Sequence, residues 1–195
     1  MEPERFYTEI AAAYDADNSW EQLPDSYIDV VERFTDAVKE GAVLDAGCGP
    51  GRDTEYFEDE GFDATGVDLA AGMVEYADEH REGEYLRGDL RELPFDDRAF
   101  DGVWCNAAVF LLPWEEMQGA VDELYRVTDD GGAAQISFKL GEGELQKQRD
   151  DNEVTQYLVT DEGVRSMLEE AGYEVVDAEH HELPGFAFGN YFVER

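Results

Sequence analysis

The sequence Leu44-Asp-Ala-Gly-Cys-Gly-Pro-Gly-Arg52 joins a short apolar stretch to a helix through a turn that contains three glycines. Glycine allows the backbone to turn sharply there and to approach a ligand closely. The helix that follows begins with free N–H groups, which attract an anion. A glycine-rich turn is also typical of an ordinary tight connection, so its meaning depends on the rest of the chain.

Short apolar strands alternate with amphipathic helices on both sides of this turn. Strands are predicted at 42–46, 64–68, 84–87, 101–106, 133–140, 174–178 and 188–193, and helices at 4–14, 27–38, 52–60, 70–80, 114–127 and 161–171. Gly41 is expected to cap the second helix, and the polar segment 141–157 is expected to be a loop. This alternation predicts a mainly parallel sheet with helices on both faces.

The length of 195 residues and the mass of 22.0 kDa predict a single domain. Within it, we expect a helical cap at 1–40, a ligand-binding core at 41–140 and a substrate-side segment at 141–195. Ligands of such sheets bind beyond the carboxyl ends of the strands, where the strand order reverses. The loops that follow the strands are therefore where functional residues are expected.

Asp68 ends the second predicted strand, about twenty residues after the glycine-rich turn. A carboxylate at this point can accept hydrogen bonds from both hydroxyls of a ribose. One acid among 49 Asp and Glu residues is more often a solvated charge. The combination of the turn and an acid at the end of the next apolar strand favours an adenosine-binding site.

Further motifs follow in a fixed order: Gly66-Val-Asp-Leu69, Arg87-Gly-Asp-Leu90, Phe100-Asp-Gly-Val-Trp104 and Leu124-Tyr-Arg-Val-Thr-Asp-Asp-Gly-Gly132. Together with the glycine-rich turn, this series resembles the class I S-adenosylmethionine-dependent methyltransferases, of the kind that act on small molecules. The resemblance covers about residues 42 to 140 closely. It implies a three-layer, Rossmann-like fold with a seven-stranded, mostly parallel sheet whose last strand is antiparallel.

The resemblance also implies which residues hold S-adenosylmethionine. Gly47, Gly49 and Gly51 would hold its methionine part. Asp45 is a weaker candidate, since it could serve only to order the loop. Arg52 could pair with the carboxylate of the cofactor or equally with one of its acidic neighbours.

The nucleoside part is assigned in the same way. Asp68 would accept from the ribose hydroxyls, while Leu69 and Met73 would pack beside the adenosine. Asp89 would accept from the adenine amino group, and the backbone of Leu90 would support the edge of the ring.

The loop after the fourth strand, Asn106-Ala-Ala-Val-Phe-Leu-Leu-Pro113, is expected to face the methyl acceptor. Asn106 and Phe110 are candidates for the floor of that site, with Asn106 also a candidate cofactor contact, and Tyr14 of the first helix is a candidate for its cover. Many small-molecule relatives carry a histidine where this chain has Leu111, so that potential base is absent. A cofactor-binding protein without methyl transfer therefore remains an alternative to an enzyme.

Other chemistries have less support. The turn departs from Gly-x-Gly-x-x-Gly, and no Tyr-x-x-x-Lys pair occurs, which makes a nicotinamide-dependent oxidoreductase less favoured. The absence of a Gly-Lys dipeptide excludes a phosphate-binding loop. His180 and His181 are adjacent and would point to opposite faces of a strand, so no metal site is expected.

The charge balance is strongly acidic, with 49 Asp and Glu against 14 Lys and Arg and a net charge of -35. Such a surface opposes binding to nucleic acid and to anionic membranes. The composition is typical of proteins from salt-loving organisms. The N-terminal sequence lacks the features of a signal peptide, so a cytoplasmic location is expected. The expected partner is a small-molecule methyl acceptor. The sequence does not determine the oligomeric state.

The net charge predicts that folding depends on salt. Near 1 M salt the Debye length falls to about 3 Å, which screens the mutual repulsion of surface carboxylates. We expect the melting temperature to rise steadily between dilute buffer and molar KCl. Thermal melts that do not change with salt would contradict this prediction.

Overall fold

The computed structural model describes residues 3–149 and 152–195, with the side chains of Arg149 and Asn152 left out. The helices are α1 (Pro3–Asp17), α2 (Asp25–Val38), α3 (Arg52–Asp59), α4 (Ala71–His80), α5 (Trp114–Val127) and α6 (Asp161–Ala171). The strands are β1 (Ala42–Ala46), β2 (Asp63–Asp68), β3 (Glu84–Arg87), β4 (Phe100–Cys105), β5 (Thr128–Leu140), β6 (Glu144–Arg149), β7 (Asn152–Tyr157), β8 (Glu174–Leu183) and β9 (Phe186–Glu194).

Seven strands form one sheet in the order β3-β2-β1-β4-β5-β9-β8. Neighbouring strands from β3 to β5 pair in parallel, whereas β9 is antiparallel to both β5 and β8. The predicted fold class, including the antiparallel last strand, is therefore confirmed. The strand order reverses between β1 and β4, so the connections after these two strands diverge and leave a crevice at their carboxyl ends.

Both faces of the sheet are covered by helices. Residues of α5 and α6, including Leu124 and Leu168, are fully buried on one face. On the other face, Phe34 of α2 and Phe57 of α3 pack against Trp104 of β4, with ring centroids 5.3 and 5.7 Å from the Trp104 ring. Helices therefore cover both faces of the sheet, as the alternation of strands and helices in the sequence predicted.

The segment 141–157 differs from the prediction, since it forms a two-stranded antiparallel hairpin of β6 and β7 rather than a loop. Val154 is fully buried and Gln156 is 4% exposed, so one face of β7 is covered. Because the second buried residue of that face is polar, the apolar alternation that would indicate a strand is missing from the sequence. Residues 150 and 151 of this segment lie outside the described part of the chain.

The predicted cap of the second helix is also corrected. The helix ends at Val38, and Lys39, with φ of 70°, takes the C-cap position in place of Gly41. Gly41 has φ of 112° and lies two residues further on. Lys39 thus adopts a conformation that is uncommon for residues with a Cβ.

A buried ion pair fixes α3 against β4 and α2. Asp53 is 7% exposed and accepts hydrogen bonds from Trp104 Nε1 at 3.1 Å and from the Tyr27 hydroxyl at 2.5 Å. Arg52 donates to both carboxylate oxygens of Asp53, at 2.8 and 3.0 Å. Asp53 therefore holds three donors from three different elements.

Replacing Asp53 should destabilise the fold strongly, since Asp53→Asn leaves the buried guanidinium of Arg52 without its counter-charge. Loss of one partner of a buried pair costs about 3 kcal/mol or more. We expect this decrease in the free energy of unfolding in urea titrations at molar KCl. Asp130→Asn is the matched control, because Asp130 is 69% exposed and pairs with the exposed Arg98. Its second partner, Arg195 at 3.6 Å, keeps three backbone carbonyl acceptors when the charge is removed. Such surface pairs contribute about 1 kcal/mol or less. Equal losses for the two variants would contradict the prediction.

Candidate functional site

A cavity of about 290 Å³ lies at the carboxyl ends of the parallel strands. Its walls come mainly from the loops after β1, β2, β3 and β4 and from α1. Nine residues selected from the sequence contribute to these walls together. They are Tyr14, Gly47, Gly49, Asp68, Leu69, Met73, Asp89, Leu90 and Asn106.

Gly47 and Gly49 have different roles in the glycine-rich turn. Gly47 has φ of 84°, and a Cβ there would lie 2.4 Å from the Cβ of Ala108. Gly49 has φ of 55°, and a Cβ there would meet no heavy atom within 4 Å. Gly47 is therefore needed for close packing of two loops, whereas Gly49 leaves its backbone open to the cavity.

Asp68, the last residue of β2, is hydrogen-bonded to the backbone of the glycine-rich turn. Its carboxylate accepts from the backbone N–H of Gly49 at 2.9 Å and from that of Ala70 at 2.8 Å. Burial raises the pKa of Asp68, and these backbone hydrogen bonds act in the opposite direction. A carboxylate has about four acceptor positions, so Asp68 retains capacity for a ligand in the cavity.

Asp89, after β3, is held by Arg91. Arg91 donates from Nε to Oδ1 at 2.9 Å and from Nη2 to Oδ2 at 2.5 Å, and it also pairs with Glu116 at 2.6 Å. These hydrogen bonds from Arg91 hold the pKa of Asp89 below its usual value. Arg91 and Glu116 both line the cavity, but neither was selected from the sequence, where an arginine beside many acids carries no distinguishing signal.

The loop after β4 contains a residue in an uncommon conformation. Ala107 has φ of 59°, in the left-handed region, and its N–H donates to the Oγ of Ser137 at 2.7 Å. Ser137 is fully buried. Such a conformation costs a non-glycine residue about 1 to 2 kcal/mol. Strained residues of this kind cluster at functional sites, and Ala107 lies between two residues of the cavity wall, Asn106 and Ala108.

Aromatic side chains of α1 form the wall opposite the strands. Tyr7 and Tyr14 both line the cavity, and their ring centroids are 5.7 Å apart. Burial is the main cause that raises the pKa of each hydroxyl, so both are neutral at ordinary pH. Leu111, at the position of the absent histidine, lines the same cavity.

Four residues selected from the sequence do not line this cavity. Asp45 is 2% exposed and accepts from Thr54 Oγ1 at 2.7 Å, so it ties β1 to α3. Gly51 faces a ring instead, because a Cβ there would lie 2.7 Å from an atom of Tyr85.

Arg52 and Phe110 are the other two selected residues that do not line the cavity. Of the two interpretations of Arg52, the structure contains the ion pair with an acidic neighbour, Asp53. Phe110 is 3% exposed and packs against Phe188, with ring centroids 6.1 Å apart. It supports the wall from behind and does not form its surface.

Neither a membrane span nor a metal site is present in residues 3–149 and 152–195. No helix there has the length and apolar character needed to cross a bilayer. No group of three His, Cys, Asp or Glu residues there could hold a metal ion. The ring of His180 lies 3.2 Å from a carboxylate oxygen of Asp161, and neither His180 nor His181 lines the cavity. Cys48 and Cys105 are buried free thiols.

Comparison with known proteins agrees with this geometry. Residues 43–132 match a protein family described as methyltransferase domain. The malonyl-[acyl-carrier protein] O-methyltransferase of Salmonella typhimurium is 38% identical over 110 residues, which are 55% of this chain and 42% of that protein. The chain thus spans about two fifths of the length of this relative.

Solved structures share the fold over nearly the whole chain. The 1,6-didemethyltoxoflavin-N1-methyltransferase of Burkholderia thailandensis, solved with S-adenosylhomocysteine, has a TM-score of 0.76 at 18% identity and covers 98% of this chain and 86% of its own. The [4+2]-cyclase SpnF has a TM-score of 0.78 at 18% identity, with 98% and 94% covered. This chain therefore has the Rossmann-like fold of the class I S-adenosylmethionine-dependent methyltransferases, and its residues 43–132 match their methyltransferase domain.

Proposed function

We propose that the chain transfers a methyl group from S-adenosylmethionine to a small-molecule acceptor. The observation that carries this proposal is that one cavity joins the glycine-rich turn, Asp68 and Asp89 to the loop after β4. The match of residues 43–132 to a methyltransferase domain supports it independently.

The residues around the cavity fit such a cofactor. The open backbone at Gly49 leaves room for its methionine part, and Asp68 has acceptor capacity for the ribose hydroxyls. Asp89 and Leu90 lie where an adenine could be held, while Met73 gives an apolar wall. Because Arg91 already pairs with Asp89, an adenine amino group would share that carboxylate with Arg91.

The bound cofactor supplies a methyl group made electrophilic by a sulfonium, so that the acceptor's lone pair forms the new bond while the carbon–sulfur bond breaks. The protein's part is to align the acceptor with that carbon and to exclude water. The neutral rings of Tyr7 and Tyr14 suit a positive charge, which an aromatic face attracts by about 0.5 to 2 kcal/mol.

The described cavity wall contains no histidine, lysine or cysteine side chain. Its acids are engaged, since Glu4 pairs with Arg87 at 2.6 Å and Glu116 pairs with Arg91 at 2.6 Å. We infer an acceptor whose nucleophilic atom needs no deprotonation by the protein.

We further infer that the protein works in a salty cytoplasm. The support is the net charge of -35 together with the small number of cations available to pair with it.

Residues 1–40 are proposed as a cap and 141–195 as a substrate-side segment around the 41–140 core. The reason is that α1 and the β6–β7 hairpin share a buried cluster with Met73 of the cavity wall.

A substitution at Gly49 tests the cofactor site directly. Gly49→Ala places a methyl group in the cavity, and we expect the affinity for S-adenosylhomocysteine to fall at least about tenfold, a change of roughly 1.4 kcal/mol. Gly61→Ala is the matched control, because Gly61 also has positive φ and open space around it but lies outside the cavity wall. Isothermal titration calorimetry in molar KCl measures both. Equal affinities for the two variants, or tight NAD binding in place of S-adenosylhomocysteine, would contradict the proposal.

A cofactor-binding protein with a different chemistry is the second candidate. The observation in its favour is that the [4+2]-cyclase SpnF has this fold with a TM-score of 0.78. Incubation with methyl-labelled cofactor and a salty cell extract distinguishes the two candidates. Label transferred to a small molecule supports the methyltransferase, whereas cofactor binding without transfer supports the second candidate.

The proposed cap gives a further prediction. Deleting residues 1–15 removes Tyr7 and Tyr14 from the cavity wall, although residues 1 and 2 lie outside the described range. We expect the sheet to remain folded by circular dichroism, while methyl transfer to the acceptor found in the extract becomes undetectable or much slower because water enters. A folded truncated protein with the wild-type rate would show that α1 is not a lid.

A further inference from the structure

Asn106 is a polar residue of the cavity wall that is fixed in place from two sides. It follows the last residue of β4 directly. The next residue, Ala107, donates its backbone N–H to Ser137 Oγ at 2.7 Å, and the side chain of Asn106 is hydrogen-bonded to the Tyr27 hydroxyl at 3.3 Å. The orientation of the Asn106 amide therefore decides which of its polar atoms a ligand meets.

The hydroxyl of Tyr27 determines that orientation. Burial raises the pKa of Tyr27, so the hydroxyl keeps its proton at ordinary pH. The proton is donated to the carboxylate of Asp53 at 2.5 Å, because a carboxylate can only accept. Arg52, which has only donors, gives a hydrogen bond to the same hydroxyl at 2.5 Å. Tyr27 can therefore only accept from Asn106, so the NH₂ group of Asn106 faces Tyr27.

The carbonyl oxygen of Asn106 is the atom that remains for a ligand. No hydrogen bond within the described part of the chain occupies it. The buried side-chain nitrogen and oxygen atoms that lack a partner there are Arg81 Nε, Gln135 Oε1 and His181 Nε2. Asn106 Oδ1 is not among them, so this unbonded oxygen is accessible. Because Asn106 lines the cavity, a molecule bound there can donate a hydrogen bond to it.

A hydrogen-bond acceptor in this position restricts the nucleophile. A carboxylate has no hydrogen to donate, and its lone pairs would be repelled by those of Asn106 Oδ1. An alcohol or a thiol carries a hydrogen but must lose it to become a strong nucleophile. The described wall offers no histidine, lysine or cysteine side chain to take that proton, and its acids already hold other partners. A neutral amine has both a lone pair and an N–H, and so fits both observations.

We propose, on the basis of the proposed function, that the methyl acceptor is a neutral primary or secondary amine whose N–H is bound by Asn106 Oδ1. The lone pair of the nitrogen forms the bond to the methyl carbon, while the carbon–sulfur bond breaks and its electron pair stays on sulfur. The positive charge moves from sulfur to nitrogen, and the product ammonium gives a proton to water after release. The hydrogen bond to Asn106 strengthens as the nitrogen becomes positive, so it stabilises the transition state more than the ground state.

The methylated atom can be identified directly. The protein is incubated in molar KCl with a salty cell extract and S-adenosylmethionine whose methyl carbon is isotopically labelled. Carbon–proton correlation NMR of the small-molecule products distinguishes methyl groups on nitrogen, oxygen, sulfur and carbon. We expect the label on nitrogen. Label on oxygen, sulfur or carbon would overturn this inference and leave the proposed function intact.

Small probes test Asn106 without knowledge of the natural acceptor. Aniline, which is neutral at ordinary pH and carries N–H groups, is compared with N,N-dimethylaniline and benzoate by ligand-detected NMR, with S-adenosylhomocysteine saturating. We expect the wild-type protein to bind aniline about three to ten times more tightly than either other probe, the range for one neutral hydrogen bond. Asn106→Leu should lose this preference, because leucine has a similar size and no acceptor. Asn106→Asp should keep it, since a carboxyl oxygen still faces the cavity.

Gln22→Leu is the matched control, since it also replaces an amide by an apolar side chain, at an exposed residue outside the cavity wall. It should show the wild-type preference. Tyr27→Phe removes the group that orients the amide, so the preference should shrink in this variant. The ratio of two affinities is measured on folded protein, so a loss of stability alone would not change it. If Tyr27→Phe does not fold, the variants of Asn106 decide.

The outcomes separate this inference from the proposed function and from a role of Asn106 in holding the cofactor. If S-adenosylhomocysteine does not bind to the wild-type protein, the proposed function itself fails, and this inference fails with it. If Asn106→Leu weakens the binding of S-adenosylhomocysteine but leaves the probe preference unchanged, the amide serves the cofactor and the inference is overturned. Equal probe preferences in Asn106→Leu and Gln22→Leu would overturn it as well.

Discussion

The site depends on the close approach of two loops at the point where the strand order reverses. Gly47, after β1, leaves room for the methyl group of Ala108, after β4, and a Cβ at position 47 would lie 2.4 Å from it. The loop after β4 is held in this position by the hydrogen bond from Ala107 to the buried Ser137, at the cost of a left-handed conformation at Ala107. Because the two connections touch here, the remaining turn at Gly49 and the carboxylate of Asp68 face a common space.

Charge has two distinct roles in this chain. Most of its few cations are structural, as Arg52 is, which is bound by Asp53 inside the fold. Lys139 is arranged differently, with an amide and two rings around its ammonium. A half-buried cation without an ion pair is difficult to explain by stability alone, since desolvation opposes its charge.

The sequence predicted the sheet and its switch point because those features are local. Strand alternation, the glycine-rich turn and an acid at the end of β2 are set by residues close together in the chain. Asp89 and Leu90 were selected only through the resemblance to a known family. Arg91 could not be selected, because its importance comes from its contacts with Asp89 and Glu116.

The predictions that the structure corrects also failed because of contacts between residues that are distant in the sequence. Phe110 lies in the expected loop, but tertiary packing against Phe188 turns it away from the cavity. The β6–β7 hairpin was expected to be a loop, since its buried face includes the polar Gln156, whose partner Lys139 is distant in sequence. Buried polar networks of this kind leave no periodic apolar signal.

The central claim is that this cavity binds S-adenosylmethionine with its methyl group directed to the loop after β4. A crystal structure of the complex with S-adenosylhomocysteine, grown in molar KCl, tests it most directly. The account predicts ribose oxygens at Asp68, adenine beside Asp89 and Leu90, and the sulfur facing the space between Asn106 and Tyr14. Electron density for the ligand outside this cavity, or its adenine at the Tyr7 end, would contradict the account.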